Sequence, residues 1–73
     1  MSEAEKIGLL EEAMDLEPGT LKPEDVLADF DEWDSIAALS LIAIFDSNLG
    51  KTLSGDDIKK FVTVKDVIDF MEA

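Results

Sequence analysis

Asp34-Ser35-Ile36-Ala37-Ala38-Leu39-Ser40-Leu41-Ile42-Ala43-Ile44-Phe45-Asp46-Ser47-Asn48-Leu49-Gly50 is the stretch from which the fold can be read. Its first residue is a short acid of the kind that accepts the unbonded N–H groups of a helix start. Its last is a glycine, which readily takes the left-handed conformation that ends a helix. A helix over 35–49 is expected, and from Ile36 to Phe45 its only polar residue is Ser40. Such a helix lacks a conventional polar face. A small domain buries only about 60% of the surface of its unfolded chain, so part of this helix is expected to meet solvent or a partner.

On the N-terminal side, Ala4, Ile7, Leu10, Ala13 and Met14 recur at helical spacing among Glu3, Glu5, Glu11 and Glu12, which predicts an amphipathic helix over 3–14. Pro18-Gly19 and Pro23 then interrupt regular structure, leaving a connection from Asp15 to Asp34. A loop of that length needs anchors in the core, for which Leu16, Leu21, Val26, Leu27 and Phe30 are the candidates. Lys22–Leu27 suits a short helical turn. On the C-terminal side, Ser54 and Asp57 form a capping pair for a short helix over 56–61, and Thr63 and Asp66 form another for a helix over 64–72. Val64, Val67, Ile68 and Met71 make the apolar stripe of that last helix. No alternating run is bounded by hairpin turns. The expected fold is therefore all-α: one domain over 1–73, a small four-helix bundle with a long first loop and a short third helix.

Composition narrows the chemistry. The chain has no cysteine, so neither a disulfide framework nor a zinc-thiolate site can form, and any thiol it uses is imported. It has no histidine and no tyrosine, which removes the commonest acid–base side chain near neutral pH. Eighteen acidic residues against six lysines give a net charge of −12, unsuited to nucleic-acid backbones and suited to basic protein surfaces. The acidic character lies in the first half: residues 1–34 hold 12 acids and 2 lysines, residues 35–73 hold 6 acids and 4 lysines. The N-terminus lacks the basic and apolar regions of a signal peptide, and no apolar run reaches the roughly 20 residues of a membrane span. A soluble, cytoplasmic, free-standing monomer is expected.

Ser35 is the candidate functional residue. At the first helical position its hydroxyl is within reach of another enzyme's active site. With no histidine to take its proton, it is a substrate for modification and not a nucleophilic catalyst. The N–H groups and dipole of the helix start also favour an attached phosphodiester.

The order of these parts resembles the acyl carrier protein family throughout the chain. The matching pieces are Asp34-Ser35-Ile36 (for the family's Asp-Ser-Leu), Leu39, Leu41, Leu49-Gly50, Leu53, Asp56-Asp57, Thr63-Val64 and Val67-Ile68. The resemblance implies a bundle of the acyl-carrier type. It also implies that a magnesium-dependent phosphopantetheinyl transferase moves 4′-phosphopantetheine from coenzyme A onto Ser35. The arm's thiol then holds an acyl group as a thioester, in fatty-acid or related acyl-chain biosynthesis. Asp34 corresponds to the family's acid before the serine, which assists metal binding during that transfer and is also suited to cap the helix. Implied partners are acyl-loading, elongating and acyltransferase enzymes with basic docking patches. The core implied to shelter an acyl chain is lined by Leu39, Ile42, Phe45, Ile58, Phe61 and Val67.

Two departures bear on recognition. Ser40, Ala43 and Ser47 stand where fatty-acid carriers have docking acids, leaving Asp46 as the only acid within the helix. Attraction is therefore expected from Asp29, Asp31, Glu32 and Asp34, with apolar contacts from Ile36, Ala37, Ala38 and Ile44. Glu32-Trp33 replaces a glycine-containing approach to the aspartate, and Trp33 is expected to pack in the core. It also differs from the Gly-Gly approach of peptidyl carriers, the aminoacyl or D-alanyl alternative within the same chemistry. An acidic cation-binding module is the alternative of another class. Asp29 and Asp31 have the spacing of an EF-hand start, yet Trp33 holds the next ligand position and the required glycine is missing.

Overall fold

Each helix opens on a side chain that satisfies its own first turn. In the computed structural model, which describes residues 2–72, Ser2 caps α1 (Glu3–Ala13). Its hydroxyl accepts from the Glu5 N–H at 3.2 Å, and the Glu5 carboxylate accepts from the Ser2 N–H at 3.1 Å. Ser54 and Asp57 reciprocate in the same way before α3 (Gly55–Lys60). Ahead of α4 (Val64–Glu72), the Asp66 carboxylate takes the N–H groups of Val62 and Thr63, and the Thr63 hydroxyl takes that of Asp66. The Ser54 and Thr63 pairs are those expected; the Ser2-x-x-Glu5 signal is an additional one.

The central helix, α2 (Ser35–Ile44), changes character at its end. Phe45–Leu49 forms a π-turn, and Gly50 closes it with φ of 62°. The Phe45 carbonyl receives the N–H groups of both Gly50 and Lys51, which widens the last turn. The helical run to Leu49 is present, but it is α-helical only to Ile44.

These helices make an all-α four-helix bundle. Its core joins Leu10, Ala13 and Met14 at the end of α1, Ala37, Leu41 and Phe45 along α2, and Val64, Val67, Ile68 and Met71 of α4. Phe70 stacks between Phe45 and Phe61, with ring centroids 5.9 and 5.6 Å away, and so ties the ends of α2 and α3 to α4. Ala4, expected on the inner stripe of α1, is exposed: it stands in the first turn, and burial on α1 begins only at Lys6. Leu39, expected in the core, is 68% exposed. Burial on α2 recurs every four residues through 37, 41 and 45, and a residue two positions from each faces the opposite way.

The long connection is held at both ends. Near α1, the buried carboxylate of Glu11 accepts from the Leu21 N–H at 3.0 Å, and the Glu11 carbonyl accepts from Leu16 N–H at 2.8 Å. Further on, residues 22–27 run beside 62–65. Leu27 N–H donates to Val62, Val64 N–H to Asp25 and Lys65 N–H to Pro23, around a single bridge between Val26 and Thr63. Leu21 and Leu27 are buried, while Leu16, Phe30 and Trp33 pack half-buried against the core as expected. Val26 does not: it is 38% exposed, since in extended backbone neighbouring side chains alternate and Leu27 takes the inward position. The helical turn expected at 22–27 falls later, as a 3₁₀ turn at Leu27–Asp29. No helix among the described residues is long and apolar enough to cross a membrane.

Candidate functional site at the start of the central helix

Asp34 sets the geometry of the site. Its extended backbone (φ −125°, ψ −172°) turns the chain into α2, and its Oδ1 accepts from the Ala37 N–H at 2.9 Å. The N–H groups of Ser35 and Ile36 belong to the set that a helix start leaves unbonded, and no acceptor among the described residues takes them. Ser35 follows as the first helical residue and is exposed. The other serines are differently placed. The hydroxyls of Ser2 and Ser54 accept from backbone as caps, Ser40 is half-buried in mid-helix, and Ser47 lies in the π-turn at the far end.

From Ser35 an apolar stripe runs along the outer side of α2 through Ile36, 72% exposed, Leu39 and the exposed Ala43. Positions 36, 39 and 43 share one helical face. Ala37, expected to face partners, is instead 2% exposed and belongs to the core, while Ala38 and Ile44 are half-buried. Leu39 takes over that outward role. The lack of a conventional polar face on this helix was the signal in the sequence, but only the buried face of α2 fixes which of its apolar residues turn outward.

Asp29, Asp31, Glu32 and Asp34 are all exposed on the approach to Ser35. A hollow of about 250 Å³ beside the serine is lined by Ala13, Met14, Asp15, Glu32, Asp34, Ile36 and Ala37. Glu32 and Asp34 thus meet at one rim, whereas Asp29 and Asp31 stand outside it. Asp15 was not anticipated there. It reaches the rim from a left-handed turn (φ 58°) directly after α1, a conformation that aspartate tolerates better than most residues.

At the other end of the stripe, an open groove of about 280 Å³ is lined by Leu39, Ile42, Ala43, Asp46, Lys51, Thr52 and Leu53. Of the six residues expected to enclose a cargo, Leu39 and Ile42 line this outer groove. Phe45 and Val67 are closed in the core, and Ile58 and Phe61 are half-buried against it. Among the described residues no group of three or more acidic side chains is placed to hold a metal ion.

The site suits a covalently attached phosphodiester. It offers a free hydroxyl, two unbonded N–H groups at the positive end of a helix, and an apolar track leading away. When bound, 4′-phosphopantetheine supplies the thiol that a cysteine-free chain lacks. Residues 7–71, nearly the whole chain, match the family described as the phosphopantetheine attachment site. No curated protein and no solved structure matches the chain at a significant level. The chain belongs to the phosphopantetheine attachment site family, and is a carrier protein that bears 4′-phosphopantetheine covalently.

Proposed function

We propose that Ser35 is the residue that takes the arm, and that the carrier transports acyl groups as thioesters in fatty-acid or related acyl-chain biosynthesis, without catalysis of its own. The observation that carries this reading is the exposed Ser35 hydroxyl at the first position of α2, behind the Asp34 cap. Asp34 also serves the phosphopantetheinyl transferase reaction from its place beside that hydroxyl. Asp29, Asp31, Glu32 and Asp34 steer basic partner surfaces toward Ser35, while Ile36 and Leu39 supply apolar contact once the partner arrives. The outward apolar stripe favours an acyl cargo over an amino acid.

Incubation of the chain with coenzyme A, magnesium and a promiscuous phosphopantetheinyl transferase tests the attachment residue. Intact mass is expected to rise by one phosphopantetheinyl group, and Ser35→Ala to abolish the gain. Persistence of the gain in that variant would reject Ser35. The loaded carrier is then offered to acyl transferases and to amino-acid-activating enzymes; acceptance of amino acids alone would reject the acyl reading.

A further inference from the structure

Ser35 and the groove at the far end of the apolar stripe lie on the same side of α2. A helix of 3.6 residues per turn places Leu39 and Ala43 about 40° and 80° round from Ser35 in one sense, and Ile42 about 20° in the other. The core positions Ala37, Leu41 and Phe45 lie further round in that second sense, by about 80–160°. Opposite the helix, Leu53 lines the groove from the segment ahead of α3 and is only 3% exposed. Lys51 brings its hydrocarbon stem more than a free charge, because its Nζ donates to the Phe70 carbonyl at 3.0 Å and sits 6.0 Å from the Phe70 ring centre. The groove holds about 280 Å³ and is open. The core behind α2 is filled by contrast: Leu41, Phe45, Val64 and Val67 are all 0% exposed.

We propose that this outer groove, and not the core, receives the acyl chain that the arm carries, with Leu39, Ile42, Ala43 and Leu53 as its contacts. The proposal rests on the reading of Ser35 as the attachment residue. Tethering selects the occupant, since a group linked to Ser35 is held near the groove at an effective concentration that a free ligand does not reach. The reach is sufficient. Ala43 lies eight residues along α2 from Ser35, about 12 Å of helix, whereas the phosphopantetheine arm has the backbone length of about five extended residues, about 17 Å. Chemistry agrees with reach, because an aliphatic chain laid against leucine, isoleucine and alanine side chains leaves water. Entry to the core asks more: the chain would have to pass round α2 and displace side chains that are already closely packed.

The test compares methyl and amide chemical shifts of the isotope-labelled full chain carrying the bare arm with those of the butanoyl and octanoyl forms, loaded from the corresponding acyl-coenzyme A and confirmed by intact mass. Octanoyl-dependent shifts are expected at Leu39, Ile42, Ala43 and Leu53, together with contacts from the octanoyl protons to the same methyl groups. Occupancy is expected to rise about two- to fourfold for each added methylene. Ala43→Asp places a charge against the chain and is expected to remove about half or more of the shift at Leu53. Ala43 is exposed, so the fold is expected to survive, and unchanged spectra over α1 check this. Octanoyl contacts to Phe45, Ile58, Phe61 or Val67, identical spectra for the bare and octanoyl arms, or an Ala43→Asp variant with undiminished shifts would overturn the proposal. A chain that takes no arm at Ser35 fails earlier, at the mass measurement, and overturns the attachment reading together with this one; a loaded chain with an empty groove overturns this one alone.

Discussion

The carboxylate of Glu11 is 3% exposed and takes the N–H of Leu21, a residue ten positions on in an otherwise irregular segment. Glu11→Ala leaves that buried N–H without an acceptor and is expected to cost about 1–3 kcal/mol in urea unfolding. Glu11→Gln keeps a carbonyl acceptor in the same place, so its loss should be smaller. Lys6 is likewise buried on α1, with Glu72 of α4 as its partner. Neither charged residue looks like a core residue in the sequence. Each follows from where its partner is brought by the fold, a long-range fact that local periodicity does not contain. Ser35 is the opposite case. Its exposure follows from its position directly after a capping aspartate, and the chain states that position outright.

Among the helices, α2 separates two kinds of leucine that are identical in composition terms. Leu41 is fully buried at 0% and Leu39 is 68% exposed. Leu41→Ala is expected to destabilise the bundle by about 2–5 kcal/mol, read from thermal or urea unfolding. Leu39→Ala should leave the unfolding midpoint nearly unchanged while slowing transfer from acyl partner enzymes; a large loss of stability would place Leu39 in the core after all. The four helices, their capping pairs at Ser54 and Thr63, and the stripe of α4 were legible because each depends on residues within one or two turns. The outward face of α2 was not, since its helix offers apolar residues on nearly every side and only its neighbours choose among them.

For the molecule as a whole, pH and salt act through the carboxylates. Backbone N–H groups hold Glu5, Asp57 and Asp66 below their ordinary values, and the Lys6 ammonium does the same for Glu72. A carboxylate lowered in the folded state contributes stability that is fully present above its unfolded pKa, near 4.5 for Glu and 3.8 for Asp. That contribution is lost as pH falls through the lower folded values. Melting temperature measured in high salt is therefore expected to drop on acidification below those values. Asp66→Asn should flatten part of that drop, and an unchanged profile would show that the Asp66 cap does not carry it. At neutral pH, eighteen acids with a single ion pair among the described residues make added salt stabilising, because screening relieves their mutual repulsion.

The amino-acid order alone determined the helix count, the helix starts, the glycine stop at Gly50 and the serine displayed at a helix mouth. All of these are contests between a side chain and the backbone within a few residues of it. Folding in three dimensions decided that Val26 and Leu39 turn outward and that Asp15 joins Glu32 and Asp34 beside Ser35. Those outcomes depend on which surfaces remain uncovered once the elements pack, and burial is a property of neighbours far away in the chain.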